Sequence, residues 1–148
     1  MSAAAPANSA QGRAPVALED FESGRVDPAD FDHAAHVYVA WRLLGEVPIV
    51  SAIERYTAAL RRLTARLGMP GKYHETITWF FLFLIAERRQ ACSSGAWDEF
   101  VAANPDLLQD AGLLLAGYYT PDRLCSDAAR ASFLLPDRVP GQGAGITR

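Results

Sequence analysis

Apolar residues in this chain recur at intervals of three and four, the period of helices rather than strands. Val37, Ala40, Trp41 and Leu44 fall on one side of a helix that Asp32 is placed to cap and that should end around Gly45, ahead of Pro48. The clearest run is Ile49, Ile53, Tyr56, Leu60, Leu63 and Leu67, with Arg55, Arg61, Arg62 and Arg66 elsewhere on the cylinder and Gly68 as its stop. After the Met69-Pro70-Gly71 turn, a third helix is expected from about 73 to 91. Its middle, 77–85, is apolar nearly all round, which suits a buried central helix with the others packed about it.

Outside these three the signals shorten. Residues 16–30 carry Val16, Leu18 and Phe21 without a clear period, and irregular packing is expected there. Trp97, Phe100 and Val101 predict about two turns ending at Asn104-Pro105, and 107–119 and 127–134 read as short helices, with Thr120-Pro121 and Ser126-Asp127 as start signals. The glycine- and proline-rich stretch from Pro136 reads as a free tail, the domain closing by 138 and disorder covering 139–148; the Ala, Pro and Ser-rich stretch 1–15 is expected to be disordered too. The fold class that follows is all-α: a single-domain compact helical bundle over 16–138 with short C-terminal helices.

Composition narrows the function classes. At 148 residues, half of them apolar, the chain supports one core. Seventeen acidic against 14 basic side chains leave no field that would draw it to phosphate backbones, so no nucleic-acid partner is expected. The most apolar stretch, 79–86, runs at once into Glu87, Arg88 and Arg89 and falls short of the roughly 20 residues of a membrane span, so no membrane partner is expected either. Cys92 and Cys125 form no CxxC pair, and the N-terminus lacks the basic start and apolar run of a signal peptide; a reducing cytoplasm is the simplest home. The arginines, Arg88 and Arg89 included, read as solvated faces.

The chemistry concentrates in the three histidines, all at helix starts. His33 and His36, three apart, share one helical face, and His74 opens the central helix with Glu75 beside it and Thr78 one turn on. If the two helix starts adjoin, three imidazoles and a carboxylate would form a set that holds one transition metal ion, zinc, iron or copper, with a position left open for catalysis. The same residues also suit a hydrogen-bonded pocket without metal, because a half-buried imidazole commonly bonds a backbone carbonyl. The His74-Glu75-Thr76-Ile77-Thr78 string approaches the HExxH zinc-peptidase signature, but Thr78 stands where the second histidine is needed. Tyr73 and Glu75 are the candidate catalytic side chains, Trp41 and Thr78 the candidate ligand contacts, and His33, His36 and His74 the candidate metal ligands. Tyr118, Tyr119 and Trp79 read as core first.

Three strings carry a resemblance: Phe31, His33 and His36 leading to Ala40-Trp41; Tyr73-His74-Glu75-Thr76 with Thr78; and Asn104-Pro105-Asp106 with the segment 126–137. Over about 31–138 the chain resembles a family of small bacterial all-helical proteins of unassigned function. The resemblance implies that the two histidine strings belong together, and it brings no reaction or substrate. The leading expectation is thus a histidine-based metal- or ligand-binding site for a small molecule, with a metal-dependent enzyme as one form of it. The alternatives are a helical interaction module or homodimer built on Trp97, Leu113, Leu114, Leu115, Tyr118 and Tyr119 as an exposed patch, and a metal-independent enzyme using His74 as general acid or base.

Overall fold

The first ordered piece is a helix where no helical period was legible. In the computed structural model, which describes residues 16–93 and 95–140, α1 spans Leu18–Ser23 and ends on Gly24 in the left-handed region at φ 76°. The expected disorder over 1–15 and most of the expected tail, 141–148, lie outside the described residues. Burial, rather than local propensity, fixes α1: Phe21 stacks on Phe31 at 5.0 Å between ring centroids and packs on Tyr56 at 5.1 Å. Arginines that read as a solvated face do the rest. Arg55 pairs with Glu22, Arg62 donates to the Glu22 carbonyl at 2.7 Å, and Arg66 donates to the carbonyls of Gly24 and Val26.

Three long helices follow as expected. α2 is His33–Glu46, its N-terminus capped by the Asp32 carboxylate, which accepts from the Ala35 N–H at 2.9 Å. α3 is Ile49–Arg66, with Gly68 at φ 69° beyond its end, and after a 3-10 turn over Pro70–Lys72, α4 is Glu75–Ala91. α4 packs against α2 and α3. It buries Phe80, Leu82, Leu84 and Ile85, while Phe83 is 41% exposed, so one stripe of the helix meets solvent. Gly45 lies inside α2 instead of stopping it. A side chain there would stand 2.2 Å from the Arg89 guanidinium, which lies 4.6 Å over the Trp41 ring and donates to the Trp41 carbonyl at 3.1 Å.

The C-terminal part is more broken than its sequence suggests: α5 (Trp97–Ala103), α6 (Pro105–Gln109), α7 (Ala111–Ala116), α8 (Pro121–Leu124) and α9 (Asp127–Ala131). Among the described residues the chain is all-helical, without strands. The single helix expected over 107–119 divides at Asp110, which leaves helical geometry (φ −123°, ψ 41°) and lets both Leu107 and Leu115 reach the core. The patch imagined over Trp97, Leu113, Leu114, Leu115, Tyr118 and Tyr119 does not form as such. Leu115 and Tyr119 are buried, Trp97 packs against Trp41 and Phe100, and Leu113, at 75%, is the strongly exposed member.

Beyond α9, which packs on α4, the chain straightens into a strap instead of running free. Fully buried Thr76 donates to the Ser132 carbonyl at 2.7 Å and accepts from the Leu134 N–H at 3.1 Å, and Tyr119 donates to the Leu134 carbonyl at 2.7 Å. Asp137 accepts from the backbone and hydroxyl of Thr120, and the Arg138 N–H donates to the Tyr118 carbonyl at 2.9 Å. Residues 136–138 therefore belong to the fold. Among the described residues no helix is long and apolar enough to cross a membrane, and Cys92 and Cys125 are both free thiols.

Replacing Thr76 by Val keeps the shape but strips two backbone groups of their partner. The expected loss is about 2 kcal/mol in urea unfolding, with faster amide exchange at Leu134.

Candidate functional site

Where α2, α3 and α4 face one another near the start of α2, they line an apolar cavity of about 310 Å³ that is partly open to solvent. His33 and His36 enter from α2, Tyr56 and Leu60 from α3, and Thr78 and Phe81 from α4. His33 and His36, three apart in the sequence, both line it, and so does Thr78. No Lys, Arg, Asp or Glu is among the lining residues.

Hydrogen bonds fix both imidazoles. His33 Nε2 lies 2.9 Å from the Leu107 carbonyl, and His36 Nδ1 lies 2.8 Å from the Asp32 carbonyl. A carbonyl oxygen only accepts, so His33 carries its proton on Nε2 and His36 on Nδ1. The Leu107 carbonyl is itself held in place. Arg88 on α4 grips Asp106 through two bonds of 3.0 and 2.8 Å and Asn104 through a third of 2.8 Å. That guanidinium holds the Asp106 carboxyl below its ordinary range, chiefly by hydrogen bonding. The rings also pack: His36 lies 3.9 Å from Phe31 between centroids, and His33 meets the Phe81 edge at 5.7 Å.

Burial pushes the His36 pKa below 6.5, helped by the nearby His33 charge and opposed in part by the bond to the Asp32 carbonyl. The neutral imidazole is therefore the favoured form. Thr78 spends its hydroxyl hydrogen on the His74 carbonyl at 2.7 Å. Tyr56 is buried, and its phenol is pushed well above the ordinary range by that burial, with the Tyr73 charge a smaller cause.

His74 does not join the other two. It is the N-cap of α4: its Nδ1 accepts from the Ile77 N–H at 3.2 Å, and its Nε2–H donates to the Leu124 carbonyl at 2.8 Å. Both ring nitrogens are spent on backbone, and the ring does not line the cavity. Three imidazoles therefore do not converge, and among the described residues no group of three or more His, Cys, Asp and Glu side chains is placed to hold a metal ion. Tyr73 and Glu75 also stand outside the cavity lining. The Tyr73 hydroxyl donates to the Glu75 carboxylate, Arg61 pairs with that carboxylate at 3.2 Å, and the Arg61 guanidinium lies 4.5 Å over the Tyr73 ring. Desolvation first, and then the bond to Glu75, raise the Tyr73 pKa to about 12, so the phenol stays protonated. Trp41 is buried beneath Arg89, away from the cavity lining.

Tyr56, Leu60 and Phe81 were read as core from their helical spacing, and the cavity they line was not foreseen. The available signal was Tyr56 itself, a polar-tipped ring in a stripe otherwise aliphatic. A second cleft, about 630 Å³, opens between the ends of α2 and α4, but its guanidinium, Arg89, is already bonded to Trp41. No family model, curated protein or solved structure matches the chain.

Two outcomes follow. His74→Ala removes a cap and a bond to α8, for an expected cost of about 2 kcal/mol, whereas His74→Asn, which keeps a capping oxygen, recovers about half in thermal or urea unfolding. His36 is expected to titrate below 6.5 by NMR. Because the unfolded chain then binds the proton first, its contribution to stability is complete above 6.5 and is lost as pH falls from there through the folded pKa; His36→Asn should flatten that slope.

Proposed function

We propose that this chain binds a small, largely apolar molecule in the cavity between α2, α3 and α4. One observation carries the reading: seven apolar residues share a pocket of about 310 Å³ with His33, His36, Tyr56 and Thr78, which make up its polar corner. Pockets for small molecules combine these features, apolar lining with a few convergent polar groups, and an apolar void of about 150 Å³ already takes benzene. A two-ring ligand suits the space here.

The metal version of the histidine site has less support. His33 and His36 each retain one lone-pair nitrogen, but a zinc, iron or copper centre ordinarily draws at least three protein ligands, and His74 is occupied elsewhere. Use of His74 as a general acid or base is disfavoured on the same ground, since its two nitrogens already serve as cap and donor. A homodimer or interaction module loses the buried Leu115 and Tyr119 from its patch. We place the protein with the cytoplasmic, ligand-binding helical proteins, in line with its free cysteines.

The test is calorimetric titration of the full chain with 2-naphthol. Saturable one-to-one binding is expected, lost when Ala40→Leu fills the cavity. No binding, or binding unchanged by Ala40→Leu in a variant shown by circular dichroism to be folded, would overturn the reading. Zinc bound at one per chain and lost in both His33→Ala and His36→Ala would replace it with the metal site.

A further inference from the structure

We propose that the ligand of this cavity is neutral and donates a hydrogen bond from its polar end, as a phenol, an alcohol or an azole N–H on an apolar body would. The inference rests on the cavity being a binding site, and it names what that site selects.

The argument is an accounting of protons. His33 gives its Nε2–H to the Leu107 carbonyl and His36 gives its Nδ1–H to the Asp32 carbonyl. Each ring has a second nitrogen, His33 Nδ1 and His36 Nε2, that makes no hydrogen bond among the described residues. In the neutral rings these two atoms have no hydrogen of their own and only accept. Thr78 adds to the same side of the ledger, since its hydrogen is committed to the His74 carbonyl and only lone pairs remain. Tyr56 is the exception: its hydroxyl makes no hydrogen bond among the described residues, and it both donates and accepts. The polar corner is thus rich in acceptors and holds a single free donor.

That imbalance discriminates. A ligand hydroxyl or N–H gives its hydrogen to an imidazole, and a hydroxyl can also accept from Tyr56, so donor and acceptor are both satisfied. A carboxylate or phosphate has no hydrogen to give. It would place its charge against two nitrogen lone pairs with no Lys or Arg in the lining, a partly desolvated charge without a partner. A cationic head finds no Asp or Glu in the lining either. An ether or a bare hydrocarbon fills the space but displaces water from the solvent-reaching imidazole nitrogens without replacing its hydrogen bond.

Three probes on one ring system separate these cases at pH 7.5: 2-naphthol, which donates, 2-methoxynaphthalene, which does not, and 2-naphthoate, which carries the anion. 2-Naphthol is expected to bind about tenfold tighter than either of the others, the scale of one net hydrogen bond. His36→Phe, which preserves a ring against Phe31 without the lone pair, should narrow the gap between 2-naphthol and 2-methoxynaphthalene. Equal affinities, or tighter binding of the ether or the anion, would overturn this inference and leave the cavity standing as a binding site. Failure of all three to bind would overturn both.

Discussion

Helices of four to seven residues cannot hold themselves. The last four carbonyls of a helix have no partner within it, so in α5 to α9 most C=O groups must find one outside their own helix, and an isolated helix so short is unstable in water. Side chains on the long helices and near their ends supply what is missing. His33 at the start of α2 takes the Leu107 carbonyl, His74 and Thr76 at the start of α4 take those of Leu124 and Ser132, and Arg88 near the end of α4 holds Asp106. The C-terminal part is stapled to the three-helix frame by these bonds as much as by the Leu107, Leu115 and Ala129 side chains it buries.

The same need shapes the cavity. A histidine recruited to cap a carbonyl is no longer free to choose its tautomer, and the nitrogen left over acquires a defined character. His33 and His36 satisfy backbone on one side of each ring and offer lone pairs on the other. His74 has both nitrogens recruited by backbone, which leaves neither one unbonded. One residue type, placed at two helix starts, thus ends with two roles, and the difference is the number of backbone partners each ring meets.

What was legible in the sequence was what neighbours along the chain decide. Asp32 as a cap, the three long helices, and the joint position of His33 and His36 all follow from spacings of three and four residues. What was not legible depends on partners far along the chain. α1 has no period of its own and exists because Phe21 is covered by Phe31 and Tyr56, while Arg62 and Arg66 of α3 reach backbone carbonyls in and just after it and Arg55 pairs with its Glu22. The destination of His74 could not be known without the position of Leu124, nor the strap over 132–138 without Thr76, a buried threonine in a helix that read as apolar. Tyr56 was hidden by its own regularity: it keeps the helical period, so its hydroxyl looked like the edge of a core ring.

The bond from His33 to Leu107 joins residues 74 positions apart. During synthesis the α2 imidazole is made long before its acceptor, and until residue 107 emerges the ring can rotate and exchange tautomers. The histidine corner of the cavity is therefore finished late, by a piece of chain that contributes no side chain to the cavity wall. Changes to α6 that leave the pocket lining untouched would still reach the cavity, because the carbonyl that decides which nitrogen of His33 is bare belongs to a helix of five residues.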